Sequence, residues 1–212
     1  MAGGRGLRMM PMTTSIPKPM IEIEGETLIS KSLIQLKTRI PTIGITVGYQ
    51  GAALAKHVIE EGASLVFNTD GQGNCWWLFN TLMKHLDEPV LVLTCDNIVR
   101  LDLDFILTEY LRLNSPPCMV IPVKPVKGID GDYITGGNNI VASLGRTNIS
   151  QQYCSGIQLL NPAIINRLVS RVDDFNELWD SLIRLEKLSY SSIYPYNWYS
   201  VNTIRQFNEA NT

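Results

Sequence analysis

Short apolar stretches rich in β-branched residues alternate with amphipathic ones along most of this chain. Residues 42–49 predict a strand, 51–61 a helix, 64–68 a strand, 74–86 a helix and 89–94 another strand. Strands separated by helices of this length predict an α/β fold, an open and mostly parallel twisted sheet covered on both faces. Beyond a helix at 104–113 the pattern changes. Strand-like 118–123 is followed by a glycine- and asparagine-rich turn at 136–139, then by strand-like 140–143 and 156–160, which predicts a small antiparallel insertion. Helices at 162–169 and 175–186 come next, with a final strand and a closing helix from about residue 203. There is no internal repeat, low-complexity tract or linker, and 212 residues suit a single domain, 1–212.

Composition narrows the function classes. Eighteen basic residues against 20 acidic ones give a formal charge of −2, so no global charge calls for a nucleic acid or an anionic membrane. Any anion recognition is then local. No apolar run approaches a membrane span, and residues 1–20 lack the apolar core of a secretory signal, so a cytoplasmic location is expected. Cys75, Cys95, Cys118 and Cys154 are scattered without zinc-site spacing, which reads as four buried or half-buried thiols. The Trp76-Trp77 pair reads first as one core and one half-exposed aromatic, and only second as a base-stacking platform. His57 and His85 lie in helical patterns without a nucleophilic partner nearby.

Local chemistry concentrates at the start of the chain, in Ala2-Gly3-Gly4-Arg5-Gly6-Leu7-Arg8. Three glycines in four positions can shape a nest of amide donors around phosphate, or simply reverse the chain. Arg5 and Arg8 add guanidinium groups suited to phosphate oxygens. The spacing is neither that of a dinucleotide-binding fold nor that of a P-loop. Further on, Pro17-Lys18-Pro19 holds an ammonium in a restricted direction between two prolines. A second centre is Asp96, which follows strand 89–94 and so sits at the edge where open α/β sheets bind ligands. Its carboxylate suits Mg2+, or it caps a turn.

The run AGGRGLRMMPMTTSIPKPMIEIEG resembles the signature of the sugar-phosphate nucleotidyltransferase family, which includes sugar-1-phosphate and phosphocholine-type enzymes. The resemblance implies a Rossmann-like nucleotidyltransferase fold. It implies that Ala2, Gly3, Gly4, Arg5 and Gly6 embrace the nucleotide, that Arg8 contacts the triphosphate and that Lys18 lies against the reacting phosphates. Leu7 departs from the small hydroxyl residue common there. The family carries a buried strand before the alanine-glycine-glycine turn. Met1 is therefore expected to be the last residue of a truncated first strand, with sequencing of the upstream reading frame as the check.

The same resemblance makes Asp96 a metal ligand, although Cys95 stands where glycine is usual. In the segment Asn197-Trp198-Tyr199-Ser200-Val201-Asn202-Thr203, Ser200 occupies the usual aspartate position and Asn202 matches the asparagine branch of the family. Asn202 is expected to be the second Mg2+ ligand; otherwise Asn202-Thr203 caps the last helix. Asn68, Gly73 and Asn74 resemble the loop that meets nucleobase and ribose. Tyr133, Gly136 and Gly156 resemble acceptor-binding positions, and Arg146 stands near the place of an absent glutamate-lysine-proline motif.

The implied reaction couples a nucleoside triphosphate to a phosphorylated sugar or similar small phosphorylated metabolite with release of pyrophosphate. No nucleic acid or membrane partner is implied, and the oligomeric state is left open. A degenerate nucleotide-binding module without catalysis is the competing reading, motivated by Cys95, Ser200 and the expected truncation of the first strand. A dinucleotide-dependent oxidoreductase fits neither the glycine spacing nor the absence of a suitably placed acidic residue.

Overall fold

In chain order the elements are β1 (Glu22–Ile23), β2 (Glu26–Thr27), α1 (Leu28–Lys37), β3 (Gly44–Val47), α2 (Gly51–Glu60), β4 (Leu65–Asn68), α3 (Trp76–Asn80), β5 (Val90–Val92), β6 (Asn97–Val99), α4 (Leu103–Arg112), β7 (Cys118–Val123), β8 (Tyr133–Gly137), β9 (Ile140–Gly145), β10 (Tyr153–Leu160), α5 (Pro162–Leu168), α6 (Phe175–Arg184), β11 (Leu188–Tyr190), β12 (Trp198–Ser200) and α7 (Ile204–Ala210). They come from a computed structural model that describes residues 1–211. Single 3-10 turns occur at Leu7–Met9, Met12–Thr14, Lys18–Met20 and Leu82–His85.

Five helices begin at a side chain that accepts from a first-turn amide: Thr27, Asp102, Asn161, Asp174 and Thr203. These caps satisfy donors that a helix cannot pair internally, each contributing about 1 kcal/mol. Thr27 starts α1, a helix that the alternation pattern did not mark. The expected helix 74–86 is broken at Thr81, whose backbone is extended. Its hydroxyl donates to Trp77 O and accepts from Met83 N, so the side chain competes with the helical ladder and a 3-10 turn follows.

The chain divides into two compact units. The first comprises residues 1–72, 94–101 and 199–212, and the second 73–93 and 102–198. In the first, β3 and β4 pair in parallel from Gly44↔Leu65 to Val47↔Asn68, joined by α2. One core cluster gathers Ala2, Ile29, Leu33, Ile43, Ile45, Val47, Leu54 and Val58; another gathers Met9, Ile21, Ile23, Leu28 and Val201. Burying each such Leu or Ile side chain contributes roughly 1.5–3 kcal/mol. The packing therefore fixes the base of the glycine turn, because Ala2 is part of the core.

The second unit holds a six-stranded sheet of order β5-β10-β7-β11-β9-β8. β7 is buried along its whole length between antiparallel β10 and parallel β11, which is why Cys118–Val123 reads as a continuous apolar run. The α/β class expected from the sequence holds, but this sheet is mixed rather than mostly parallel: β7–β11 is parallel, whereas β5–β10, β10–β7, β11–β9 and β9–β8 are antiparallel, as the returning hairpin requires. Segment 133–160 folds as the β8–β9 hairpin and returns through β10, which sends an antiparallel strand between β5 and β7. No helix among the described residues is long and apolar enough to cross a membrane.

Glu109 anchors α4 in this unit. Its carboxylate accepts from Arg112 Nε (2.8 Å), Arg112 Nη2 (2.9 Å) and Ser192 N (2.5 Å). The hydrogen bonds from Arg112, against the opposing effect of burial, hold its pKa down to about 2. A carboxyl held low in the folded chain stabilises it above the unfolded value, and that contribution is lost as pH falls. Glu109→Gln is expected to cost on the order of 1–3 kcal/mol at neutral pH. The gap from wild type should close between about pH 4.5 and 2. Denaturant titrations at several pH values check this, and a pH-independent gap would contradict it.

Candidate active site

The glycine turn is fitted to the ends of β3 and β4. Ala2 N donates to Thr46 Oγ1 (3.1 Å), and Gly3 O accepts from Tyr49 N (3.2 Å). A Cβ on Gly3 would lie 2.9 Å from Thr69 Oγ1, and one on Gly48 only 2.4 Å from Gly3 O. Two backbones approach here more closely than side chains permit. Gly6 has φ 64°, and a Cβ there would meet Lys18 Cβ at 3.0 Å and Thr13 Cγ2 at 3.1 Å. Its carbonyl accepts from Thr13 Oγ1 (3.0 Å) and Met9 N (2.8 Å), which turns the loop down onto Lys18.

Gly4, Arg5 and Arg8 are exposed. Arg5 Cζ stands 5.5 Å from the centroid of the Tyr49 ring, within cation–π range. Tyr49 Oη and Gln50 Nε2 both donate to Thr14 O at 3.1 Å. Gly48, Tyr49 and Gln50 therefore hold both ends of the loop, and the sequence reading did not single them out. Their signal was present as Gly-Tyr-Gln-Gly directly after an apolar strand. Adding a Cβ at Gly48 forces Gly3 to move, so Gly48→Ala is expected to destabilise by roughly 1–3 kcal/mol. An unchanged denaturation midpoint would show that the two backbones are not so close.

Lys18 opens its 3-10 turn between two buried prolines, Pro17 and Pro19. Its Nζ lies 2.9 Å from Asp96 Oδ2 and 2.8 Å from Asn202 Oδ1. The Lys18 and Asp96 side chains are 12% and 19% exposed, so this ion pair is largely withdrawn from solvent screening. An ammonium can only donate, so Asn202 must face it with oxygen, and the amide Nδ2 is left to donate to Ser200 Oγ (2.6 Å). Asn202 N also donates to Gln206 Oε1 (2.8 Å), and Val201 N donates to Asp96 O (2.9 Å), tying the two segments together. Burial pushes the Asp96 carboxyl up, but Lys18 and a hydrogen bond with Thr94 hold it below its usual value.

Cys95, the departure beside Asp96, packs against the core cluster around Ala2 and Val47. Burial and the neighbouring Asp96 charge raise its thiol to about 11. Ser200, the other departure, orients Asn202. One carboxylate and one amide oxygen thus converge on a single cation. This hard-oxygen pair fits Mg2+ when phosphate oxygens and water complete the coordination. No group of three or more His, Cys, Asp and Glu side chains suited to a metal occurs among the described residues. A polyphosphate would have to supply the rest.

The other candidates have structural employment. Asn68 ends β4 and accepts from Asp70 N (3.0 Å). Within the second unit, a Cβ on Gly73 would fall 2.0 Å from Asp173 O, and Asn74 Oδ1 accepts from Phe175 N (2.8 Å). These two residues fasten their loop to the start of α6. A Cβ on Gly136 would fall 2.0 Å from Ile140 O, beside a register shift of the β8–β9 hairpin. Gly156 has φ 79° within the β10 irregularity between Cys154 and Gln158. Tyr133 meets Tyr153 edge-on at 4.7 Å between centroids. Arg146 is exposed and pairs with Asp132 at 3.4 Å. Of the tryptophans, Trp77 is buried and Trp76 half-buried. His57 Nε2 meets the hydroxyls of Thr27 (3.1 Å) and Ser30 (3.2 Å), whereas His85 is exposed.

Three comparisons bear on this geometry. Residues 1–127 match the model of the family described as nucleotidyl transferase. A mannose-1-phosphate guanyltransferase from Pichia angusta is 24% identical over 223 residues; the match takes in 98% of this chain and 61% of that protein's length. The CTP:phosphocholine cytidylyltransferase structure from Streptococcus pneumoniae superposes with a TM-score of 0.77 at 17% identity, covering 99% of this chain and 95% of that one. The inositol-1-phosphate CTP transferase structure from T. maritima gives 0.80 at 14% identity, covering 97% and 88%. At these identities the two structures establish the shared fold.

Proposed function

The chain belongs to the nucleotidyl transferase family, and from that premise we propose that it is a magnesium-dependent enzyme coupling a nucleoside triphosphate to a phosphorylated sugar or similar small phosphorylated metabolite, with release of pyrophosphate. The observation that carries the proposal is Lys18 Nζ held between Asp96 and Asn202 beneath the turn at Gly6. The named relatives act on mannose 1-phosphate, phosphocholine and inositol 1-phosphate, all phosphate monoesters, which supports an acceptor of that class.

A phosphate monoester is already anionic near neutral pH, so its oxygen can attack the α-phosphorus without a general base. The work left to the protein is positioning and charge neutralisation. Amides of Gly3, Gly4 and Gly6, with Arg5 and Arg8, hold the phosphates. Lys18 sits against the reacting phosphate and offsets its growing negative charge. Asp96 and Asn202 hold Mg2+, which supplies Lewis-acid neutralisation of phosphate oxygens. Asn68, Gly73 and Asn74 are assigned to nucleobase and ribose. Tyr133, Gly136, Arg146 and Gly156 are assigned to the acceptor. The reaction calls for neither a nucleic acid nor a membrane, and a cytoplasmic location goes with it.

Cys95 and Ser200, two of the features behind the non-catalytic reading, are compatible with catalysis. The first is packed into the core, and the second orients a proposed ligand. The test is pyrophosphate release from each nucleoside triphosphate paired with sugar phosphates, inositol 1-phosphate and phosphocholine, with and without Mg2+. Magnesium-dependent release from at least one pair is expected. Nucleotide binding without release from any pair would favour the module instead.

A further inference from the structure

Lys18 does more in this geometry than wait for a phosphate. Its Nζ is within hydrogen-bond distance of both Asp96 Oδ2 (2.9 Å) and Asn202 Oδ1 (2.8 Å), the two oxygens assigned to the metal. A cation placed between those oxygens would have to share the space that Nζ fills. Two positive centres that close, in a largely desolvated site, repel strongly. We propose that the Lys18 ammonium is a built-in stand-in for the divalent ion: it occupies the cation position while the site is without nucleotide and vacates it when a polyphosphate draws it away. The inference rests on the proposed assignment of Asp96 and Asn202 as ligands, and adds an order of binding to it.

Three features favour a designed exchange over an incidental ion pair. Lys18 is the first residue of a short turn bracketed by buried Pro17 and Pro19, which restrain its backbone and leave the side chain the freer part. Asn202 presents its oxygen to the cation and donates from Nδ2 to Ser200 Oγ at 2.6 Å, a hydrogen bond that does not involve the lysine. Gly6, whose absent Cβ would press on Lys18 Cβ at 3.0 Å, places the glycine turn directly beside the lysine stem. A phosphate held by that turn is positioned to attract the ammonium. Its departure leaves Asp96 and Asn202 open at the moment phosphate oxygens arrive to complete an oxygen shell. In the free chain, the apparent metal affinity is reduced by the fraction of time that Lys18 is absent from the site.

The test is Mn2+ binding to the full chain without nucleotide, followed by the electron paramagnetic resonance signal of free Mn2+. If Lys18 fills the site at least nine-tenths of the time, Lys18→Met should bind Mn2+ about tenfold or more tightly than wild type. Lys18→Arg, which keeps a cation, should bind as weakly as wild type. Adding Asp96→Asn to Lys18→Met should remove the gain. Equal binding by wild type and Lys18→Met, abolished by Asp96→Asn, would overturn the stand-in while leaving the metal site intact. A gain that survives Asp96→Asn would overturn the stand-in, as would no binding by any variant; the last result would also count against the metal assignment itself. Thermal melts verify folding, and Lys18→Gln replaces Lys18→Met if that variant unfolds.

Discussion

Lys18→Ala should release pyrophosphate about 100-fold or more slowly than wild type, the usual cost of deleting one preorganised electrostatic contact to a reacting group. The loss is expected in turnover more than in nucleotide affinity, because the glycine-turn amides, Arg5 and Arg8 remain to hold the phosphates. Without the lysine, Asp96 keeps its hydrogen bond with Thr94, and Asn202 keeps those with Ser200 and Gln206. The cluster should therefore stay in place. The check is steady-state pyrophosphate release together with a thermal melt. Turnover within a few-fold of wild type, in a folded variant, would remove Lys18 from the reaction.

Asp96→Asn should cost a similar factor, about 100-fold or more, by a different route. The substitution keeps the shape and the link from Val201 N to the Asp96 carbonyl, but removes the carboxylate that pairs with Lys18 Nζ. A neutral amide holds Mg2+ far less well than a carboxylate. The variant should therefore need more Mg2+ to reach a lower maximal rate, whereas Lys18→Ala should not. The carboxyl is held low by Lys18 and Thr94 despite burial, so its share of the fold's stability is present at neutral pH and lost only as pH drops through the lowered folded value. Asp96→Asn should flatten that part of the acid limb. An unchanged Mg2+ requirement would sink the ligand assignment.

Much of the candidate site's geometry was legible because it lies in one short, strongly typed segment. The glycine turn and the Pro-Lys-Pro step fix backbone shape through residues with few alternatives, so their consequences survive folding nearly unchanged. Asp96 was legible from its place after an apolar strand. Sequence reading could not see that Ser200 orients Asn202, since that depends on which amide atom faces the lysine. The Gly-Tyr-Gln-Gly run could mark a segment of interest, but not the hydrogen bonds that Tyr49 and Gln50 make to Thr14, more than thirty positions away. Gly73, Gly136 and Gly156 illustrate a different difficulty. A glycine reports that something comes close, and in these three the protein's own backbone geometry is reason enough for it.

The fold shows the same division. Parallel β3 and β4 with α2 between them follow from alternation and spacing. The antiparallel β8–β9 hairpin and β10 follow from the turn at 136–139, but the joining of β5 and of parallel β11 to the same sheet does not, because it depends on which distant strands pair. The capped start of α1 at Thr27 was readable in principle from a threonine before Leu28 and Ile29. The break at Thr81 was not, since its hydroxyl could equally have pointed to solvent.

The central claim is that Lys18 and Asp96 serve one polyphosphate together, and a double-mutant cycle on pyrophosphate release tests it most directly. Groups that act as a unit lose their effects non-additively. The double variant Lys18→Ala/Asp96→Asn is therefore expected to turn over about as slowly as the slower single variant. Losses that multiply independently would contradict a shared site.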